Sequence, residues 1–395
     1  MENIVATVVG GGGHVGLPLS IVLATSGIKT YAFDISQEVV DKINGGQMPF
    51  LEQDAEVQLG KALSTEKLIA TTDPICISKS QYVIVVVGTP VDEYLSPNPN
   101  TVVSELLSLE SWLNENQVVI LRSTVFPGVT RKAYDELLKR FPNIRIAYCP
   151  ERIVEGQALS EIRTLPQIVG AYDQRSFKAA KNLFDLIGVE SLSVKPEEAE
   201  LAKLFTNVWR YIKFAAANQF WMMANDLGVD YEEVRKAISY NYPRASDLPG
   251  AGFTAGPCLF KDTMQLSALV QQNFPLGHSA MMINEGTPGY LVRRMKEKYD
   301  LKNATVGILG MAFKGNVDDT RSSLAYKLRK LLIFECKSVL ICDPLTKDMR
   351  NTDLDIVVES SDILVIGAPH DLYRTLEINK PVIDIWGIRN HGVLI

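Results

Sequence analysis

The stretch that most constrains this fold runs from Ile4 to Asp34. Ile4 to Val9 is a continuous apolar, β-rich run, the pattern of a strand buried on both faces of a parallel sheet. It opens directly into Gly10-Gly11-Gly12-Gly13-His14-Val15-Gly16 and then into a helical apolar pattern reaching Thr25. Gly11, Gly13 and Gly16 fit G-x-G-x-x-G at a strand-to-helix turn. The first allows the tight turn, the second the approach of a pyrophosphate, the third close packing of helix on strand. The helix N-terminus then faces the phosphates. A second strand, Thr30 to Phe33, ends at Asp34, at about the spacing the dinucleotide fingerprint requires. An acid there accepts from ribose hydroxyls and repels a 2′-phosphate, so the expected cofactor is NAD rather than NADP. A glycine turn with a surface Asp is the plainer alternative, but strand, turn, helix and acid arrive in order.

The α/β pattern continues. Tyr82 to Val87 ends in Gly88-Thr89-Pro90, and Val118 to Leu121 ends in Arg122-Ser123-Thr124. Helical segments lie at about 101–114 and 130–140. Ligands in such sheets bind beyond the carboxyl ends of the strands. Thr89, Ser123 and Thr124 stand there, though each could equally be a helix N-cap. Ile144 to Tyr148 runs into Pro150-Glu151-Arg152-Ile153-Val154-Glu155. Spacing alone leaves Glu151 and Glu155 as either crevice carboxylates or solvated loop acids. A first domain is assigned to residues 1–195.

Pro196-Glu197-Glu198 reads as a helix start, with Pro in the first turn and acids at the positive end. Apolar residues then recur to Leu227. Their bulk surrounds the helix, which implies burial on more than one side. A domain-bridging helix that also forms a subunit interface accounts for it, and a homodimer is expected. Lys203 and Asn207, one turn apart, share a face. They form either a site or an ordinary interface pair.

The loop Pro249 to Asp262 follows. Gly250, Gly252 and Gly256 let the backbone approach a ligand. A helix starting near Cys258 brings its thiol close to Lys261 and Asp262, and a neighbouring cation favours thiolate. A buried structural Cys is the alternative. A further helix is expected from Gly277 to Lys298, kinked or broken near Gly286. The helical middle is assigned to 196–299. At 300–395 the α/β pattern restarts, with strands at 305–309, 338–342, 363–367 and 382–386. The fold class is therefore α/β, two Rossmann-like parallel-sheet domains joined by a helical middle domain with one long central helix.

Composition excludes several functions. A net charge of -6 argues against a nucleic-acid binder that works by bulk charge. Five scattered cysteines, with no C-x-x-C pair, argue against zinc or a disulfide framework, so no metal is expected. No apolar run approaches the roughly 18 residues that span a bilayer. With no basic leader ahead of the first strand, a cytoplasmic enzyme with reduced thiols is expected.

Taken together the motifs resemble the UDP-glucose/GDP-mannose dehydrogenase family over essentially the whole length. The matching stretches are Gly11 to Pro18, Val87 to Pro90, Ser123 to Gly128 and Pro150 to Ile153. Further on are Ala199 to Lys203 with Asn207, Gly256 to Asp262, and Ala312 to Lys314 with Asp318 to Arg321. The resemblance implies an NAD-dependent oxidation of C6 of a nucleotide-linked hexose to the uronate, in two steps, through a Cys258 thiohemiacetal and thioester. It implies that Lys203 and Asn207 stabilise an oxyanion and that Asp262 holds Lys203 or the hydrolytic water. Glu151 becomes the base for hydrolysis, with Thr124 positioning water.

It also implies that Gly11, Gly13, His14, Val15, Gly16, Asp34, Gly88, Thr89, Pro90, Ser123, Glu155 and Arg321 surround NAD. Gly250, Gly252, Phe253, Gly256, Phe313 and Lys314 would hold the sugar nucleotide, and Arg244 would reach a sugar site across the dimer. The third domain, 300–395, would carry the UDP-sugar. A UDP-hexose is expected, glucose or an N-acetylhexosamine, with GDP-mannose as the close alternative and a non-catalytic sugar-nucleotide binder as the distant one. The loop reads Ala-Gly-Pro-Cys where some subgroups carry Gly-Gly-His-Cys or Gly-Ser-Cys, and Gln219 stands where Glu often follows Asn218. The motif therefore leaves the hexose open.

Overall fold

The computed structural model describes residues 4–89, 98, 100–390 and 392–395. Pro90 lies outside the described residues. By compactness the chain divides into two units, Met1–Thr206 and Asn207–Ile395.

The first unit opens with β1 (Val5–Val9), α1 (Gly16–Thr25), β2 (Lys29–Phe33), α2 (Gln37–Asn44), α3 (Ala55–Ser64) and β3 (Leu68–Thr71). There follow α4 (Ile75–Ser78), β4 (Tyr82–Val85), α5 (Thr101–Ser108), β5 (Val118–Leu121), α6 (Val129–Arg140) and β6 (Arg145–Tyr148). It continues through α7 (Ala158–Thr164), β7 (Gln167–Gly170), α8 (Gln174–Leu186) and β8 (Ser191–Val194) into α9 (Pro196–Asp226). The strands form one sheet, ordered β3-β2-β1-β4-β5-β6-β7-β8. Every neighbouring pair is parallel except β6 and β7, which are antiparallel.

The apolar runs read from the sequence are apolar because helices cover both faces. Val8, Ile84 and Ile120 point to one side, into a cluster with Leu17, Leu23 and Leu183. Val83, Val85, Val119 and Leu121 point to the other, onto Leu106 and Leu137. Successive strand residues alternate between these faces. Each such side chain, fully buried, contributes about 1.5–3 kcal/mol. The strand order reverses between β1 and β4, and a ligand crevice is expected at that switch point.

The second unit takes the rest of α9 and then α10 (Tyr231–Ser239), α11 (Leu259–Leu269) and α12 (Pro275–Lys298). A second sheet follows, from β9 (Thr305–Leu309), α13 (Leu324–Glu335), β10 (Ser338–Cys342), α14 (Leu354–Ser360), β11 (Ile363–Ile366) and β12 (Val382–Ile383). Its order is β10-β9-β11-β12, all parallel. Of the kink or break expected near Gly286, the break does not occur: α12 runs through Gly286 and Pro288 without interruption. Asn284, Thr287, Pro288, Tyr290 and Leu291 are all buried on this helix. Packing of that face outweighs the one hydrogen bond that Pro288 removes. Strand β12 stops short of Trp386 because Asp384 turns the chain, accepting the amides of Trp386 (3.1 Å) and Arg389 (2.9 Å). Among the described residues no helix is long and apolar enough to cross a membrane.

Candidate active site

In the first unit the glycine turn is shaped by close packing. A Cβ on Gly11 would lie 2.6 Å from Ala32 Cα, and one on Gly16 would lie 2.9 Å from Gly10 carbonyl carbon. Gly13 differs: the nearest atom to its missing Cβ is Gly10 O, at an ordinary 3.6 Å. Among the described residues no contact demands glycine there, which is what a position reserved for a ligand's approach looks like. Asp34, just past β2, accepts the amide of Gly12 at 3.0 Å through Oδ2 and that of Ser36 at 3.1 Å through Oδ1. The carboxylate is half-buried and keeps lone pairs for a further donor. Open space at Gly13, the α1 N-terminus and this acid fit the phosphates and ribose of NAD.

His14 stacks on Phe50, with ring centroids 4.1 Å apart, and its Nε2 stands 3.5 Å from Glu155 Oε1. Glu155 and His14 are thus brought together, and Phe50, which no motif marked, forms one wall beside them. Val15 caps α1. Gly88 and Thr89 follow β4, where Gly88 is exposed and Thr89 half-buried. Ser123 Oγ accepts the amide of Val87 at 2.8 Å, tying the ends of β4 and β5 together. Neither Ser123 nor Thr124 caps α6. That cap is Glu200, whose two carboxylate oxygens accept from Gly128 N (2.7 Å) and Thr130 N (2.8 Å). Burial pushes the Glu200 carboxyl up, against the opposing pull of those bonds. The bonds fasten the second turn of α9, which ends at Lys203, to the segment that follows Thr124. Lys203 itself is buried.

Glu151 lies in a buried cluster rather than facing water. Its Oε2 accepts from both Nε (2.8 Å) and Nη2 of Arg122. Its Oε1 accepts the amides of Arg152 (2.7 Å) and Ile153 (3.0 Å). Gln167 Oε1 accepts from Arg122 Nη1 at 2.8 Å and completes the cluster. Spacing could not reveal this, because Arg122 and Gln167 come from other strands.

In the second unit Cys258 stands at the N-cap position of α11, immediately before its first residue. Its thiol is exposed, whereas Cys76, Cys149 and Cys342 are buried and Cys336 half-buried. Burial pushes the Cys149 thiol up to about 12 and those of Cys336 and Cys342 up to about 11. Cys258 is therefore the accessible cysteine of the five, and a helix N-terminus favours negative charge beside it. One turn on, Asp262 is fully buried. Its Oδ2 accepts from Asn207 Nδ2 at 2.5 Å, and Lys261 Nζ stands 2.9 Å from Oδ1. Asn207 follows Lys203 by one turn on α9, so the two share a helix face.

Two of the three glycines of the Cys258 loop, Gly252 and Gly256, are dictated by aromatic rings. A Cβ on Gly252 would lie 3.0 Å from Trp386 Cδ2, and one on Gly256 would lie 2.6 Å from Phe313 Cδ2. Phe313, expected at the nucleotide, thus lies against the loop two residues before the thiol, and Lys314 follows it. Gly252 N donates to Asn218 Oδ1 at 3.0 Å, and Asn218 Nδ2 donates to Asn284 Oδ1 at 3.0 Å. Phe253 was expected at the substrate, but its ring is buried edge-on against Trp386, centroids 6.2 Å apart, and is occupied by packing. Gly250 has only Glu232 near its missing Cβ, at 3.8 Å. Arg321 pairs with Asp319, its Nε 2.8 Å from Oδ2. Arg244 is exposed and lies over the Tyr242 ring at 4.5 Å.

Comparison with known proteins agrees with this geometry. Residues 5–187 match the NAD binding domain of the UDP-glucose/GDP-mannose dehydrogenase family, 197–286 its central domain and 307–391 its UDP binding domain. The UDP-N-acetyl-D-mannosamine dehydrogenase of Pyrococcus horikoshii is 30% identical over 378 residues, covering 92% of this chain and 89% of that protein. An NDP-N-acetyl-D-galactosaminuronic acid dehydrogenase of Ralstonia nicotianae is 27% identical, covering 93% and 91%. The solved UDP-D-ManNAc dehydrogenase of Pyrococcus horikoshii superposes with a TM-score of 0.88 at 27% identity, over 96% of this chain and 95% of that one. A UDP-glucose dehydrogenase from Pyrobaculum islandicum shares the fold at a TM-score of 0.88 and 24% identity, over 97% and 94%. With a dinucleotide turn, an exposed thiol at a helix end and all three domains matched in order, this chain belongs to the UDP-glucose/GDP-mannose dehydrogenase family, as an NAD-dependent nucleotide-sugar dehydrogenase.

Proposed function

We propose that the chain oxidises C6 of a UDP-hexose to the carboxylate through a covalent bond to Cys258, with three working segments, 1–195 for NAD, 196–299 for the central helix and 300–395 for the UDP-sugar. The observation that carries this reading is the exposed Cys258 at the start of α11, one turn from an Asp262 already bound to Asn207. NAD, when bound, supplies the hydride acceptor, twice per turnover. After the first oxidation Cys258 Sγ bonds to the C6 aldehyde carbon, restoring an alkoxide able to expel hydride. The second oxidation leaves a thioester. Water then adds to its carbonyl carbon, and the C–S bond breaks to return the thiol and release the acid.

Lys203 and Asn207 donate to the C6 oxygen as it gains charge. Asp262 fixes the Asn207 amide by accepting from its Nδ2. Glu151 accepts the proton of the hydrolytic water, and to do so it trades one of its present donors for that water. Thr124 orients the same water. Gly11, Gly13, Asp34, Ser123, His14 and Glu155 hold the cofactor, while Gly256, Phe313 and Lys314 hold the nucleotide sugar.

The relatives favour an N-acetylated hexosamine over glucose, since the Pyrococcus horikoshii and Ralstonia nicotianae proteins act on such sugars by name. The chain works as a cytoplasmic homodimer in this reading. Phe205, Trp209, Phe220, Met223 and Leu227, from 48% to 80% exposed, project from one side of α9 and just past its end. At 3.6 residues per turn they fall within an arc of about 60°, a stripe suited to a second copy. Arg244 then reaches the partner's sugar site.

The test is the NADH yield per mole across UDP- and GDP-linked hexoses. A yield near two with one UDP-N-acetylhexosamine supports the reading, and a yield of one with every sugar removes the second oxidation. Cys258→Ser is expected to stop uronate formation while NAD still binds. Sustained uronate release by that variant would refute the covalent route.

A further inference from the structure

We infer that Asp343 and His370 form a buried clamp that sets the conformation of the nucleotide-gripping turn, and that both are positioning residues for the UDP moiety. This rests on the reading above, in which Phe313 and Lys314 hold the nucleotide. Asp343 ends β10 and is 1% exposed; His370 stands past the end of β11 and is 0% exposed. His370 Nδ1 accepts the backbone N–H of Asn316 at 2.8 Å, so Nδ1 carries no proton. The hydrogen-bond network thereby assigns the ring proton to Nε2. Nε2–H donates to Asp343 Oδ2 at 3.1 Å. The same Oδ2 accepts the amides of Met311 at 2.6 Å and Ala312 at 2.9 Å, while Oδ1 accepts that of Leu345 at 3.0 Å.

The clamp therefore grips the turn on both sides of Phe313 and Lys314. Asp343 holds the two amides that precede them, and His370 holds the amide of Asn316 that follows. Between these points Gly315 is pressed on β11's trailing segment, where a Cβ would lie 2.5 Å from Pro369 O. Phe313 N donates to Asp319 O at 3.0 Å and closes the turn. Few backbone torsions from 311 to 316 are left free, and the direction of the two ligand side chains is fixed with them. Because the Phe313 ring lies against Gly256, the setting is passed on to the Cys258 loop. A buried pair of neutral imidazole and carboxylate is weak evidence for stability in itself, because the carboxylate loses its hydration. This one bonds to no helix; apart from the Leu345 amide, its bonds go to the turn that carries Phe313 and Lys314, which is what a positioning device requires.

The test titrates UDP into the full-length chain by calorimetry and measures steady-state kinetics with the nucleotide sugar. His370→Ala is expected to weaken UDP binding by on the order of tenfold, the scale at which an outer layer of hydrogen bonds acts on a ligand site. The loss falls in KM for the sugar nucleotide rather than in kcat, and KM for NAD stays at the native value. His370→Gln keeps a donor towards Asp343, and His370→Asn keeps an acceptor for Asn316. Each is expected to recover part of the affinity, and the pair carries the test should the alanine variant fail to fold. Native UDP affinity in these variants overturns the clamp and leaves the nucleotide site standing. An equal loss of NAD affinity overturns it as well, by showing a general loosening. A native chain that binds no UDP overturns the clamp and the nucleotide reading together.

Discussion

The two sheets begin alike and use their first turn in opposite ways. Gly10 after β1 has φ +79°, and Gly310 after β9 has φ +93°. Each donates its amide to the residue closing the next strand, Gly10 to Phe33 O at 2.9 Å and Gly310 to Cys342 O at 2.7 Å. Each is followed by an acid at that strand's end, Asp34 or Asp343, which accepts from the turn's own amides. The difference is what closes over the acid. Asp34 is met by backbone alone and stays half-buried, so it can still take a ribose hydroxyl. Asp343 is sealed by His370 and has no face left for a ligand. In the proposed function the first turn presents bare glycine backbone to a pyrophosphate, and the second presents the side chains of Phe313 and Lys314 on a turn held by Asp343. The same βαβ geometry therefore leaves its acid open at one turn and encloses it at the other, and the proposed dinucleotide and nucleotide-sugar sites differ in this respect.

The sharpest way to break this comparison is to remove the two acids in turn. Asp343→Ala leaves His370 and two buried amides without their acceptor, and a loss of about 3–5 kcal/mol is expected. Asp34→Ala exposes its amides to water and is expected to cost less than about 1 kcal/mol. Urea-denaturation midpoints of the two variants measure this, and equal shifts would mean that Asp343 is no more enclosed than Asp34.

Alanine at Gly10 or Gly310 comes next. Both positions have positive φ and backbone close by, so each substitution is expected to destabilise by about 1–3 kcal/mol. Gly13→Ala meets nothing nearer than 3.6 Å and is expected to leave the melting temperature unchanged while raising KM for NAD. A melting-temperature loss at Gly13 as large as at Gly10 would show that the glycine serves the fold instead of the ligand.

Asp34→Asn sharpens the cofactor side. A charged hydrogen bond to ribose weakens and the repulsion of a 2′-phosphate is lifted. KM for NAD is expected to rise about tenfold, an amount near 1.4 kcal/mol. The NADP-to-NAD ratio of kcat/KM should rise with it, and a fixed ratio would remove Asp34 from cofactor choice.

The smallest effect is in acid. Burial alone would push the Asp343 carboxyl up, but the bonds from His370, Met311 and Ala312 outweigh it and hold the group below its ordinary value. A carboxyl depressed in the folded state adds stability above its unfolded pKa and loses it as pH falls through the folded one. The stability gap between the native chain and Asp343→Asn is therefore expected to be constant near neutrality and to narrow below about pH 4. Denaturation midpoints across pH follow it; a gap that widens in acid would have the wrong sign.

The sequence alone announced the strands, the glycine turn after β1, the long helix and a cysteine at the start of a helix. These signals are local. A glycine is demanded by atoms a few residues or one strand away, as Gly16 is by Gly10. An apolar run is demanded by burial on two faces, and α9 ends within a residue of where its pattern stops. Some things were not legible because their cause is distant in the chain. Glu200 caps α6 from 70 residues away, and Arg122 reaches Glu151 across 29. His370 completes Asp343 across 27. Phe253 looked like a ligand residue in a glycine-rich loop, yet Trp386 claims its ring.

What the sequence determined by itself was which positions must be small, apolar or polar, because excluded volume and solvent exclusion act residue by residue. What the tertiary structure decided was which partner each buried charge would find. That choice depends on which strand ends and loops the topology brings within hydrogen-bond distance, and it separates an acid left half-open, Asp34, from one enclosed to hold a turn, Asp343.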